Sequence, residues 1–225
     1  MAVTSSETES REATTGGRER PRRGGVARRI VGVVAGIAFA AAAVYAQTFT
    51  LPYEQRGSAL TIKGTAGELV ETNRFSAKVT SVVAAHAVET KGTTGEVTKV
   101  ETSNLFLVAD VTATTPKRPM QLSRLQPPFL LTADGRRYKP TDKVDESLTL
   151  FNKVIQPGLW SKGVLVFEIP EDALPGLRLV LIPPQGGLVV DTFIPEAEID
   201  LGLSEAAAAR LVSQAEQVHS LVAKS

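Results

Sequence analysis

The chain has 225 residues, 43% of them hydrophobic, which is room for one ordinary packed domain once the N-terminal segments are set aside. Lys and Arg number 25 against 24 Asp and Glu, and seven Arg with four Glu fall before Gln47. The remainder is therefore near neutral, which argues against a nucleic-acid partner, and the lack of cysteine excludes disulfides, thiolate metal sites, a cysteine nucleophile and a lipid-bearing cysteine.

Residues 1–27 are rich in Ser, Thr, Glu, Arg and Gly and offer too little apolar surface to offset chain entropy, so they read as a disordered basic tail. Arg18, Arg20, Arg22, Arg23, Arg28 and Arg29 stand just before an apolar run, and the positive-inside bias puts this tail in the cytoplasm. Residues 28–49 read as a transmembrane helix with membrane lipid as its partner. Ile30 to Ala46 is 17 residues without a charge. At the helical rise that is roughly 25 Å, slightly short of a hydrocarbon core of about 30 Å. Snorkelling of Arg28 and Arg29, with Gln47 to Phe49 at the far interface, covers the difference. The competing reading is a signal segment cut near Ala46, since Val44-Tyr45-Ala46 puts small residues where a signal peptidase needs them; against it, the segment is longer than the usual range of about 15–30 residues. Both readings send the rest of the chain across the membrane, and an exported domain without disulfides fits a bacterial source. Within the run, Gly32, Gly36 and Ala40 form a small-xxx-small face on which two helices can approach, or simply reflect a composition rich in Ala and Gly.

Residues 50–58 read as a linker and 59–195 as a β domain. LTIKG and ELVET open it, and Phe75, Ala77 and Val79 then alternate with Ser76, Lys78 and Thr80 at the period of a half-buried strand. In NLFLVADVTATT, Leu105, Leu107, Ala109, Val111 and Ala113 point one way, while Phe106 and Val108 point the other, so the start of this strand is expected to be covered on both faces. Asp134-Gly135 in FLLTADGRRY marks a hairpin. DKVDESLTLFNKVIQPG suits a helical turn or Ω-type loop. WSKGVLVFEIP, LRLVLIP and GGLVVDTFIP read as three further strands, each stopped by a proline. Strand runs at this spacing predict an all-β, antiparallel sandwich.

The C-terminal segment differs. Over residues 203–223 Ser204 is a plausible N-cap, and Ala207, Leu211, Ala215, Val218 and Val222 recur at helical steps to form one apolar stripe. An amphipathic helix of this kind either covers an edge or face of the sandwich or offers its stripe to an envelope protein partner or a second copy.

The runs NLFLVADVTAT, FLLTADGRRY, PGLWSKGVLVFEIP and LRLVL, and above all G-x-x-x-x-G-x-L-V-F-E-I-P over Gly158 to Pro170, resemble a bacterial family of extracytoplasmic telokin-like domains of unknown function. The resemblance covers roughly Gly67 to Ile194. It implies an immunoglobulin-like sandwich that is secreted, lipid-anchored or held by one helix, and it carries no catalytic residues. The lack of cysteine departs from the lipid-anchored members and leaves the helix.

Side chains that might carry chemistry have ordinary readings beside them. His86 and His219 lack carboxylates at ligand spacing. Asp142, Asp145 and Glu146, like Glu168, Glu171 and Asp172, lack the alternation and Gly of a calcium loop. Ser161-Lys162 is not S-x-x-K, and neither G-x-S-x-G nor a phosphate-binding Gly-rich loop occurs. Arg136, Arg137 and Lys139 can meet an anionic envelope polymer or form the polar face of a hairpin. Trp160 is expected in the core. The expected function is that of a single-pass, membrane-anchored, extracytoplasmic binding or assembly module of the bacterial envelope, not an enzyme and without a cofactor. The alternatives are an accessory subunit of an envelope transporter or secretion machine, and a secreted enzyme whose site is scattered through the sequence.

Overall fold

Among the described residues, strands and a helix follow in chain order: β1 (Leu60–Thr65), β2 (Val70–Glu71), β3 (Ser76–Lys91), β4 (Val97–Thr114), β5 (Phe129–Leu131), β6 (Arg137–Tyr138), β7 (Ser161–Ile169), β8 (Arg178–Leu181), β9 (Pro195–Asp200), α1 (Glu205–Ser213) and β10 (His219–Ser220). The structure is a computed structural model and describes residues 39, 60–92, 94–184 and 194–222. Contacts divide the chain into two units, Met1–Leu51 and Pro52–Ser225. Of the first, Phe39 is described: it is helical and exposed. The helix expected over residues 28–49, with Gly32, Gly36 and Ala40, otherwise lies outside the described residues. Among the described residues, no helix is long and apolar enough to cross a membrane.

The second unit is a β-sandwich. One sheet has the order β1-β9-β8-β5-β6, the other β10-β3-β4-β7, with β2 added to β3. Alternation along the strands builds the main core between them: Leu105, Leu107, Ala109, Val111 and Ala113 of β4 and Leu165, Phe167 and Ile169 of β7 meet Leu130, Leu179, Leu181, Ala197 and Ile199 of the facing sheet. Phe106 and Val108 face the other way and join Val88, Val166 and Val144 in a smaller cluster, so β4 is covered on both faces where its sequence is apolar on both. A bulge in β3 between Val79 and Ser81 resets which face its side chains address, and a second irregularity, where Ala85 pairs with Phe106 but Ala87 with Glu101, puts its extra residues in β4.

Three features depart from the sequence reading. The sandwich is not purely antiparallel: β1 runs parallel to β9 and β10 parallel to β3. The expected last strand, GGLVVDTFIP, falls mostly outside the described residues, and the strand between β1 and β8 is Pro195–Asp200, beyond the expected domain end at residue 195. Its Ala197 and Ile199 enter the core, while Glu196 accepts the Thr61 hydroxyl at 2.5 Å and Glu198 pairs with Arg178 at 2.8 Å.

The third departure is the C-terminal helix. Ser204 caps α1, accepting the Ala207 N–H at 3.3 Å, and Ala208 is buried with Leu211, Val212 and Ala215 against the main core. The helix ends at Ser213 instead of running to residue 223. The Glu216 N–H donates to the Ala84 carbonyl at 2.8 Å, the His86 N–H to the Glu216 carbonyl at 2.9 Å and the Leu221 N–H to the Glu89 carbonyl at 3.1 Å. The free edge of β3 thus captures the chain. Val218, His219, Ser220 and Val222 are poor helix formers, and edge pairing satisfies backbone groups that would otherwise stay open.

Candidate functional site

Between β6 and β7 the chain is drawn along the outer edge of β7. Pro140 bridges Phe167 and Thr149 bridges Val164, and the Thr141 N–H donates to the Val166 carbonyl at 2.9 Å. Two short 3-10 turns, Glu146–Leu148 and Leu150–Asn152, shape the far side. Asp145 caps the first, accepting the Ser147 N–H at 2.7 Å; the Ser147 hydroxyl and then its N–H hold the Asp145 carboxyl below the usual aspartate range. Thr149 caps the second: its hydroxyl accepts the Phe151 N–H at 3.3 Å and donates to the Glu146 carbonyl at 2.9 Å.

This loop and the segment around Arg124 enclose a cleft of about 230 Å³. Its floor is apolar, made by Pro127, Pro140, Val144, Phe151, Leu165 and Val166, and its rim carries Arg124, Lys139, Asp142 and Glu146. Arg124 and Glu146 form an ion pair across that rim. The Gln121 side-chain amide donates to the Phe151 carbonyl at 2.8 Å, which ties the segment before Arg124 to the second turn. Leu125, between the lining residues Arg124 and Pro127, is 95% exposed. The cleft can take an apolar side chain in its floor and read the charge of neighbouring groups at its rim.

The sequence candidates are placed apart. Asp142 and Glu146 stand at this rim. Lys143 binds Glu168 at 2.8 Å, and Glu168 also accepts the Thr102 hydroxyl; these two bonds, Lys143 first, hold the Glu168 carboxyl below its usual range. Glu171 and Asp172 lie in another 3-10 turn, and Asp172 is 3.7 Å from Arg136. Arg136 also contacts Asp134 at 2.8 Å and the Tyr138 hydroxyl at 3.1 Å, and Arg137 lies over the Phe129 ring at 4.7 Å, so the arginines decorate their own hairpin. His86 sits in β3, and His219 contacts Glu216 at 2.7 Å. Among the described residues, no group of three or more His, Asp or Glu is arranged to hold a metal ion.

The five residues of the expected C-terminal stripe do not share one helix face. Ala207 and Leu211 are half-buried on α1, Ala215 is half-buried just past it, Val218 is exposed, and Val222 is half-buried beyond β10. Trp160 is not in the core: it is 53% exposed, beside Leu159 at 64%. Inward positions of β7 are the odd ones, from Leu165 to Ile169, so the even-numbered Trp160 faces outward. Arg124, Leu125 and Phe151 carry no sequence signal for a site, because only the loop path brings Arg124 and Phe151 to a cleft that Leu165 and Val166 of β7 also line.

Residues 65–187 match the model of a family described as a domain of unknown function, DUF4352. No curated protein matches the chain. Among solved structures, the chain is similar to the yjhA protein from Bacillus subtilis, at 17% identity and a TM-score of 0.45, over 61% of this chain and 99% of that one. It is similar to a secreted protein from Mycobacterium tuberculosis, MPT63, at 16% identity and a TM-score of 0.44, over 63% and 99%. It is also similar to an uncharacterized beta-sandwich protein from Clostridium difficile, at 12% identity and a TM-score of 0.38, over 66% and 99%.

Proposed function

The chain belongs to DUF4352, a domain family of unknown function, and on that premise we propose that it is a single-pass, membrane-anchored binding or assembly module of the bacterial envelope, not an enzyme. In this reading the tail over residues 1–27 stays in the cytoplasm, residues 28–49 span the bilayer, and an immunoglobulin-like sandwich works outside. The arginines before the apolar run support that orientation.

The observation that carries the binding role is the cleft beside β7. Its volume of about 230 Å³ falls below the roughly 300–1,000 Å³ typical of small-molecule pockets. An apolar floor of that size, with a charged rim and an almost fully exposed Leu125 at its side, suits one anchoring side chain of a protein partner. Leu125 is then an apolar contact at the interface and the Arg124–Glu146 pair a polar rim.

A photo-crosslinking residue at position 125 of the full chain, in living cells, tests this. It captures a discrete envelope protein, and the capture is lost when Val144→Asp fills the floor with a charge. The same probe at Val97, exposed in β4, captures nothing comparable. Equal, diffuse labelling from both positions contradicts the proposal. Recovery of a transporter or secretion component would make the module an accessory subunit, a form of the same role.

A further inference from the structure

One end of the sandwich joins exposed apolar side chains to exposed cations. Ser161 opens β7 opposite Ala113, the Gly158 N–H donates to the Thr115 carbonyl at 3.0 Å, and Pro157 and Ile155 bridge Thr115 and Met120. This path brings three exposed apolar side chains to that end: Val154 at 49%, Leu159 at 64% and Trp160 at 53%.

The same path gathers charge. Lys117 and Arg118 lie in the connection between Thr115 and Met120, directly alongside residues 155–157, and both are exposed. Lys153 and Lys162 are exposed as well, and the Lys153 ammonium donates to the Lys162 carbonyl. Among the described residues, no carboxylate forms an ion pair with any of these four. The nearest acid in register is Asp110, two residues along β4 from Thr112, which stands opposite Lys162, and its carboxylate accepts the Ser81 hydroxyl.

The facing sheet shows which way this end points. Ala77, Ala113, Met120, Ile155 and Leu181 line one small internal cavity, so the end of β8 lies at the level of Ser161. Leu181 pairs with Ala197, Ala197 with Ile62, and Pro195 with Leu60. Leu60, where β1 begins, therefore stands at the same end as Trp160. The chain before Leu60 leaves from there. Only about ten residues, with a reach of at most roughly 35 Å, separate it from the apolar run that ends near Phe49.

We propose that this end of the sandwich docks on the surface of a lipid leaflet containing anionic phospholipid, with Leu159 and Trp160 entering the interface and the four cations meeting the headgroups. The inference rests on the tethered reading above, since the tether leaves the domain within reach of one membrane. Trp and Leu at interfacial depth together with Lys and Arg at headgroup level are the chemistry such a surface selects. An anionic soluble polymer would be served by the cations alone and gives no reason for three exposed apolar side chains beside them.

Trp160 is the only tryptophan of the chain, so its fluorescence reports on this surface alone. The full chain is reconstituted into vesicles of phosphatidylcholine, or of equimolar phosphatidylcholine and phosphatidylglycerol, each with and without brominated acyl chains. The expected result is a blue-shifted emission, quenched by the brominated chains, in the anionic vesicles only and reversed by high salt. Lys153→Ala with Lys162→Ala lowers the docked-to-undocked ratio at least roughly tenfold, since each surface cation contributes about fivefold at an anionic leaflet.

A water-exposed, unquenched Trp160 in both vesicle types overturns the proposal. So does quenching that ignores lipid charge and the lysine variants, or a shift produced by soluble alginate but not by anionic lipid. The tether is read separately, from retention in the vesicle pellet after a carbonate wash. If the chain washes off, the tethered reading fails, and docking is still read by adding the same chain to preformed vesicles.

Discussion

Gly163 and Gly158, which lie in the same sequence run, are glycines for different physical reasons. A Cβ at Gly163 would stand 2.9 Å from the Leu150 Cα and 3.0 Å from its Cβ, so the 3-10 turn packs directly on this strand position. Gly158 has φ +72° with nothing near its missing Cβ. Gly163→Ala is expected to cost about 1–3 kcal/mol through overpacking. Gly158→Ala should cost about 1–2 kcal/mol through its left-handed backbone. Urea denaturation of Asn variants separates the causes: Asn at 158, which tolerates that backbone, recovers much of the loss, whereas Asn at 163 deepens it. Equal behaviour at the two positions would refute the close approach. Glu168 gives a second test. Its bonds to Lys143 and Thr102 depress its folded pKa, so its contribution to stability is full above the unfolded value, about 4.3, and fades as pH falls through the lower folded value. The stability gap between wild type and Glu168→Gln should therefore be widest near neutral pH and close below pH 4.3; parallel pH profiles would contradict it.

At the scale of elements, the edge of β3 decides the end of the chain. Truncation after Ser213 keeps α1 but removes Leu221 from the outer cluster and the three backbone bonds made by Glu216, His86 and Leu221. At about 0.5–1.5 kcal/mol per bond the loss is roughly 2–4 kcal/mol. That corresponds to a fall of roughly 5–15 °C in the thermal midpoint, with more self-association through the bared edge. A midpoint unchanged by the truncation would mean that the segment is a passive tail. Strands β3, β4, β7 and β8 were legible in the sequence because period-2 alternation of Val, Leu, Ala and Phe is a local signal, and the Asp134-Gly135 turn because Gly135 adopts φ +87°. The strand PEAEID was not, since its outward positions are acids that disfavour strands in isolation and its partner β1 lies far away in sequence, Thr61 reaching Glu196. The helical stripe was legible only as far as Ser213; beyond it the apolar spacing persists, but poor helix formers and a free sheet edge together draw the chain out of the helix. The cleft was not legible either, because the bridges from Pro140 and Thr149 to β7 have no sequence signature.

In the whole molecule three things come together: a basic tail and apolar run that read as a tether, a sandwich that carries a small apolar cleft with a charged rim, and a cationic, partly apolar end where β1 begins. The family identity leaves the partner open, so the location of the sandwich is what the rest depends on. The most direct measurement is protease accessibility of the chain in intact spheroplasts, with an epitope at each terminus. The expected result is that external protease destroys the C-terminal epitope, while the N-terminal epitope stays protected on a short fragment that remains in the carbonate-washed membrane pellet. A C-terminal epitope protected until the membrane is permeabilised, or a domain released into the medium with Gln47 at its start, would contradict the account.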